Sequence, residues 1–75
     1  MWIFNKKRDA VYDISGMFVE YNPNVQKNCY EVIGFLKGTE KEVLLGGYET
    51  KEAAEREVSS FYSAIVNQDH YYFLY

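Results

Sequence analysis

Two apolar runs and an amphipathic stretch follow one another without a break from Cys29 to Val66, and few arrangements can satisfy all three. Cys29, Tyr30, Val32, Ile33, Phe35 and Leu36 make a run rich in β-branched and aromatic residues. Lys37–Lys41 is polar and contains Gly38, and Val43, Leu44 and Leu45 open a second run that ends at Tyr48. Runs of this kind, split by a short loop with a glycine, predict an antiparallel hairpin over residues 29–48. Beyond Tyr48 the spacing changes. Ala54, Val58, Phe61, Ile65 and Val66 recur every three or four residues, with Tyr62 beside them. That period predicts a helix over residues 50–66 with one apolar stripe. Thr50 is placed to cap it through its side-chain oxygen, and Glu52 puts negative charge at the positive end of the helix dipole. Glu55, Arg56, Glu57 and Ser60 fall mostly off the stripe and read as a solvated face. The nearest surface on which the helix can bury its stripe is the hairpin.

Residues 1–28 supply shorter elements. Met1–Phe4 is apolar, Asn5–Asp9 is a polar turn, and Ala10–Ile14 and Met17–Tyr21 read as two strands separated by a turn at Ser15-Gly16. Asn22-Pro23-Asn24 ends the last of them, because proline cannot donate to a ladder and restricts the residue before it. After the helix comes His70-Tyr71-Tyr72-Phe73-Leu74-Tyr75, a tail dense in strand formers. It is expected to return to the sheet as a strand or to bind a second chain. The expected fold is therefore α+β: an antiparallel β-sheet of four to six short strands, strongly bent, packed against one amphipathic helix. At 75 residues the chain reads as one domain over 1–75. A chain of this size buries only about 60% of its extended surface, which leaves little room for an enclosed catalytic pocket.

In the hairpin, apolar residues occupy consecutive positions, so they face both ways. The helix can cover only one face. The other needs the N-terminal strands, the tail or another subunit, since a large open apolar patch is a binding site or an aggregation hazard. Tyrosine supplies contact area with a polar handle, and the chain has eight tyrosines, five phenylalanines and one tryptophan. Tyr71, Tyr72, Phe73, Leu74 and Tyr75 are the candidate protein-interface residues, with a homodimer or a host protein as partner.

Chemistry is sparsely represented. His70 is the only histidine and Cys29 the only cysteine, so neither a zinc site nor an intrachain disulfide is expected, and Cys29 reads as a buried inert thiol. Gly46 and Gly47 lack the lysine and the fuller glycine pattern of a phosphate loop. No spacing assembles a hydrolytic triad, and the expectation is a non-enzyme without a cofactor. Lys6, Lys7 and Arg8, close to Trp2, Phe4 and Tyr12, form the candidate for a nucleic-acid contact. The charge balance weighs against it: the formal net charge is -3, and duplex binders carry a clear basic face. A structural protein without a ligand is the third reading. No apolar run is long enough to span a bilayer, and no signal-peptide pattern opens the chain, so a cytoplasmic location is expected.

Met1-Trp2-Ile3, the Tyr30–Leu36 run, and Leu45-Gly46-Gly47-Tyr48 followed by Thr50, Glu52 and Ala53-Ala54 resemble the small uncharacterised proteins of Firmicutes and their phages. The resemblance covers most of residues 1–66 and excludes the aromatic tail. It implies a bacterial or prophage origin and an α+β fold, and it brings no catalytic residue.

Overall fold

A computed structural model describes residues 1–75. The order of elements is β1 (Trp2–Phe4), β2 (Val11–Tyr21), β3 (Tyr30–Leu36), β4 (Glu42–Tyr48), α1 (Lys51–Val66) and β5 (Tyr71–Phe73). The five strands form one sheet in the order β4-β3-β2-β1-β5, with the helix across one face. This is the α+β architecture expected from the hairpin and the helical period. The β3–β4 hairpin turns at Gly38, whose φ is +80°. Thr50 caps α1 by accepting the Ala53 amide at 3.1 Å.

Three details depart from the sequence reading. First, Ser15-Gly16 is not a turn. Val11–Tyr21 is one strand, and its register against β3 shifts between Ile14 and Gly16. Such a bulge bends a strand and raises its twist. It lets the first part of β2 pair with β1 and the rest with β3. The helix reinforces the bend: the Tyr62 hydroxyl accepts the Met17 amide at 3.3 Å and donates to the Met17 carbonyl at 3.2 Å.

Second, the sheet is mixed. β1–β2, β2–β3 and β3–β4 are antiparallel, whereas β5 runs parallel to β1, with Trp2 opposite Tyr71 and Phe4 opposite Phe73. The helix between β4 and β5 supplies the crossover that a parallel neighbour requires.

Third, the buried stripe of α1 is rotated. It consists of Ala54, Glu57, Phe61 and Ala64, while Ile65 and Val66 stand exposed, Val66 at 80%. The small side chains of Ala54 and Ala64 allow close approach to the sheet. Phe61 fills the space between, within a core of Ile3, Ile14, Met17, Val32, Leu45, Tyr48 and Leu74. Gly34 is a packing requirement here, because a Cβ at that position would come within 2.8 Å of Leu45 and 2.9 Å of Ile14.

The sheet curls enough for the turn after β1 to reach β4. The Lys6 amide, just after β1, donates to the Leu45 carbonyl of β4 at 2.8 Å. Lys6 also lays its stem where a Cβ on Gly46 would sit and donates through Nζ to the Gly47 carbonyl. The Asn5–Asp9 turn thus ties the end of β1 to β4.

Candidate protein-interaction surface

Strand alternation sorts the β1 and β5 side chains. Ile3 and Leu74 point into the core and are fully buried. Trp2, Phe4, Tyr71 and Phe73 therefore lie on the opposite, outer face. Register aligns them in two rows, Tyr71–Trp2–Asp13 and Phe73–Phe4–Val11. The Phe4 and Phe73 rings stack at 4.3 Å between centroids, and Tyr71 meets Phe73 edge-on at 5.7 Å. Trp2 remains 53% exposed and Tyr71 59%. Stacking fixes the orientation of the Phe4, Phe73 and Tyr71 rings, and with Trp2 beside Tyr71 they form an aromatic plate.

Arg8 borders the plate. Its φ of +61° carries the side chain back over β5. The guanidinium lies 4.9 Å from the Phe73 centroid and 5.0 Å from that of Tyr75, and Nη1 donates to the Leu74 carbonyl and, at 3.2 Å, to that of Asn5. Asn5 shapes the turn that presents it: Oδ1 accepts the Asp9 and Ala10 amides at 3.1 and 3.2 Å, and Nδ2 donates to Asp9 at 2.7 Å.

The candidate nucleic-acid residues are thus divided by the fold. Lys6 is held against β4, with Nζ 4.2 Å from the centre of the Tyr48 ring. Arg8 is held against β5. Lys7 alone projects without a hydrogen bond or ion pair. The turn clasps two strand ends and does not present three cations to one phosphate path.

The tail residues have separate roles. Tyr71 and Tyr75 are exposed, Leu74 belongs to the core, and Phe73 is part of the plate. Tyr72 turns to the helix side and donates to Glu57 Oε1 at 2.9 Å, and the same oxygen accepts the Tyr75 amide at 3.0 Å. Burial and this hydrogen bond push the Tyr72 phenol up to about 12. Tyr48 is buried nearby; burial first, then the negative charge of Glu57, holds its phenol well above the ordinary value. Glu57 is 8% exposed, so it is a core residue and not part of the solvated face expected from its neighbours in sequence. No signal in its own helix marks this. Its donors lie 15 and 18 residues further on.

β5 is also an edge. Its β1 side is satisfied by the Trp2 amide donating to the His70 carbonyl at 3.2 Å and the Leu74 amide donating to the Phe4 carbonyl at 3.0 Å. Alternation along the strand turns the amides and carbonyls of Tyr71 and Phe73 outward, away from any neighbour. His70 is exposed just before β5, and Cys29, just before β3, is a half-buried free thiol, not the buried one expected. No helix is long and apolar enough to cross a membrane. No family model matches the sequence, and no curated protein or solved structure matches the chain.

Proposed function

We propose that this chain is a non-enzymatic protein-interaction module, encoded by a phage or prophage of a Firmicute and acting in the cytoplasm, that binds a protein partner through the aromatic plate on the outer face of β5, β1 and β2. The observation that carries the reading is the contiguous set Trp2, Phe4, Val11, Tyr71 and Phe73 bordered by Arg8. Tryptophan, tyrosine and arginine are the residue types that dominate interface energetics. The Phe4, Phe73 and Tyr71 rings, already held by stacking, lose little further freedom on binding. The basic turn gives no comparable support to nucleic-acid binding, because Lys6 and Arg8 are committed to protein carbonyls.

The test is a photo-reactive phenylalanine analogue placed at Trp2, with the same group at Glu42 as a control on the opposite sheet edge. Irradiation in cells is expected to yield a protein adduct from position 2 and none from position 42. Absence of any protein adduct from position 2, or equal labelling at both positions, overturns the reading.

A further inference from the structure

We infer that β5 is an exchangeable element: two copies of this chain dimerise by each placing its β5 in the seat beside the other's β1. The inference goes beyond the interaction reading above and does not depend on the aromatic plate. Three observations lead to it.

The first is the turn between α1 and β5. The Asp69 amide donates to the Ala64 carbonyl at 2.9 Å, and the Gln68 amide to that of Ile65 at 3.0 Å. This pair of bonds closes a helix end that needs a left-handed residue between Asn67 and Asp69, a place usually taken by glycine. Here the residue is Gln68, with φ +60°. A side chain with a Cβ is strained in that conformation. Asn67, Gln68, Asp69 and His70 are all exposed, so straightening the turn uncovers no apolar surface. Short connections under strain favour exchange of the element that follows them.

The second is the seat. The parallel ladder holds Tyr71–Phe73 against Trp2–Phe4, and Leu74 is fully buried in the core. Phe73 stacks on Phe4, Arg8 donates to the Leu74 carbonyl, and Glu57 Oε1 accepts the Tyr72 hydroxyl and the Tyr75 amide. Each of these partners lies in α1 or in the first eight residues, on the other side of the turn in sequence. A second copy supplies the same set, so an exchanged strand regains the contacts it leaves. The seat is thus shaped for one occupant, the β5 of another copy. Two copies that trade β5 satisfy each other and close the assembly at a dimer.

The third is where exchange brings the two chains together. The connection from Val66 to Tyr71 spans at most about 18 Å when fully extended. With its β5 seated on the other copy, each α1 ends within that reach of the other's seat. In each copy the seat begins one tight turn from the end of α1, so the two helix ends approach one another. The last turn of α1 carries Ile65 and Val66, 42% and 80% exposed. Apolar side chains that the sheet leaves uncovered therefore stand where the two copies meet. The same features set the strength of the dimer. A short connection holds its own strand at an effective concentration of about 1 mM, which a second copy has to match. Releasing the left-handed residue in both copies favours exchange by roughly a hundredfold, giving a dissociation constant on the order of 10 μM.

The experiment is sedimentation equilibrium of the full chain from micromolar to millimolar concentration, after the concentrated protein has been held just below its melting midpoint so that β5 exchanges. Wild type is expected to reach twice the single-chain mass. Gln68→Gly relieves the strain without opening the turn and should weaken the dimer at least tenfold. Gln68→Pro cannot adopt the left-handed turn and loses the amide that the Ile65 carbonyl accepts, so it should tighten the dimer at least tenfold. Exchange itself is read by mixing a chain carrying Trp2→Cys with one carrying Tyr71→Cys, both with Cys29→Ser, since Trp2 and Tyr71 are opposed in the ladder. A short bismaleimide should join these two chains and leave a mixture of Trp2→Cys and Leu44→Cys chains unjoined. A wild type that stays monomeric throughout overturns the inference. So does a dimer that Gln68→Gly does not weaken, or one whose Trp2→Cys and Tyr71→Cys chains are not joined. The plate is rebuilt unchanged in the exchanged dimer, so the adduct at position 2 still decides the interaction reading separately.

Discussion

Glu57→Ala is the substitution that best tests how the tail is held. One carboxylate oxygen accepts both the Tyr72 hydroxyl, at 2.9 Å, and the Tyr75 amide, at 3.0 Å. A hydrogen bond to a charged group contributes about 1.5–3 kcal/mol. Losing two would cost about 3–6 kcal/mol, offset in part because a buried carboxylate no longer has to be kept from water. The net expectation is about 2–4 kcal/mol. A domain of this length has on the order of 4–11 kcal/mol in total, so the effect is large. Tyr72→Phe removes one of the two bonds and should cost about 1–2 kcal/mol. The double variant should cost less than the sum, with a coupling energy of about 1 kcal/mol or more between contacting partners. Urea unfolding followed by Trp2 fluorescence measures all four corners of the cycle. Amide exchange at Leu74 and Tyr75 should accelerate in Glu57→Ala while the β3–β4 amides stay protected. A Glu57→Ala protein within about 0.5 kcal/mol of wild type, the range of an ordinary surface site, would refute the clasp. So would strictly additive single effects.

Other outcomes follow from the same geometry. Phe61→Asp should abolish the cooperative melt, since truncating a buried phenylalanine already costs about 3–5 kcal/mol and the new charge adds to it; an unchanged melt would remove the helix from the core. Lys6→Ala and Arg8→Ala should each lower stability by about 1 kcal/mol or more while Lys7→Ala stays neutral, and a gel shift at low salt should show no retardation of single- or double-stranded DNA. Strong retardation lost on Lys7→Ala would reverse that reading. Tyr48 and Tyr72 carry phenols raised above their ordinary value of 10.0. The fold favours their neutral forms. That contribution is complete below pH 10 and is lost as pH climbs through about 12 for Tyr72. Denaturation midpoints should therefore fall across this window, and Tyr72→Phe should flatten the fall.

Local patterns carried most of the architecture in the sequence. The hairpin, the Thr50 cap and the span of α1 follow from short-range spacing, because strand alternation, turn residues and capping are decided within a few residues. The face of α1 was harder to read. Ile65 and Val66 extend the apolar spacing of Phe61, yet the sheet beneath admits Ala64 and, through Tyr72 and Tyr75, Glu57. Long-range donors outweighed local hydropathy there. Ser15-Gly16 has the composition of a turn, and only the need of β2 to serve two neighbours makes it a bulge. The tail read correctly as a strand former. That Trp2 and Phe4 would lie beside Tyr71 and Phe73 depended on a parallel pairing that no local signal encodes. The same distance effect converts Lys6 and Arg8 from an apparent basic patch into clasps for β4 and β5.

The pairing of β1 with β5 also sets an order of events in time. In sequence order β1 acquires its second neighbour only once β5 has been made, after three other strands and the helix. At about 5–20 residues per second the wait is several seconds, and closing so long a loop costs about 4 kcal/mol in entropy. Throughout that interval Met1–Phe4 keeps one side open. The three cations that follow it directly, Lys6, Lys7 and Arg8, are charges of the kind that discourage pairing at an open strand edge. The turn that ties the end of β1 to β4 in the finished fold thus also sets like charge beside the edge that stays open until β5 arrives.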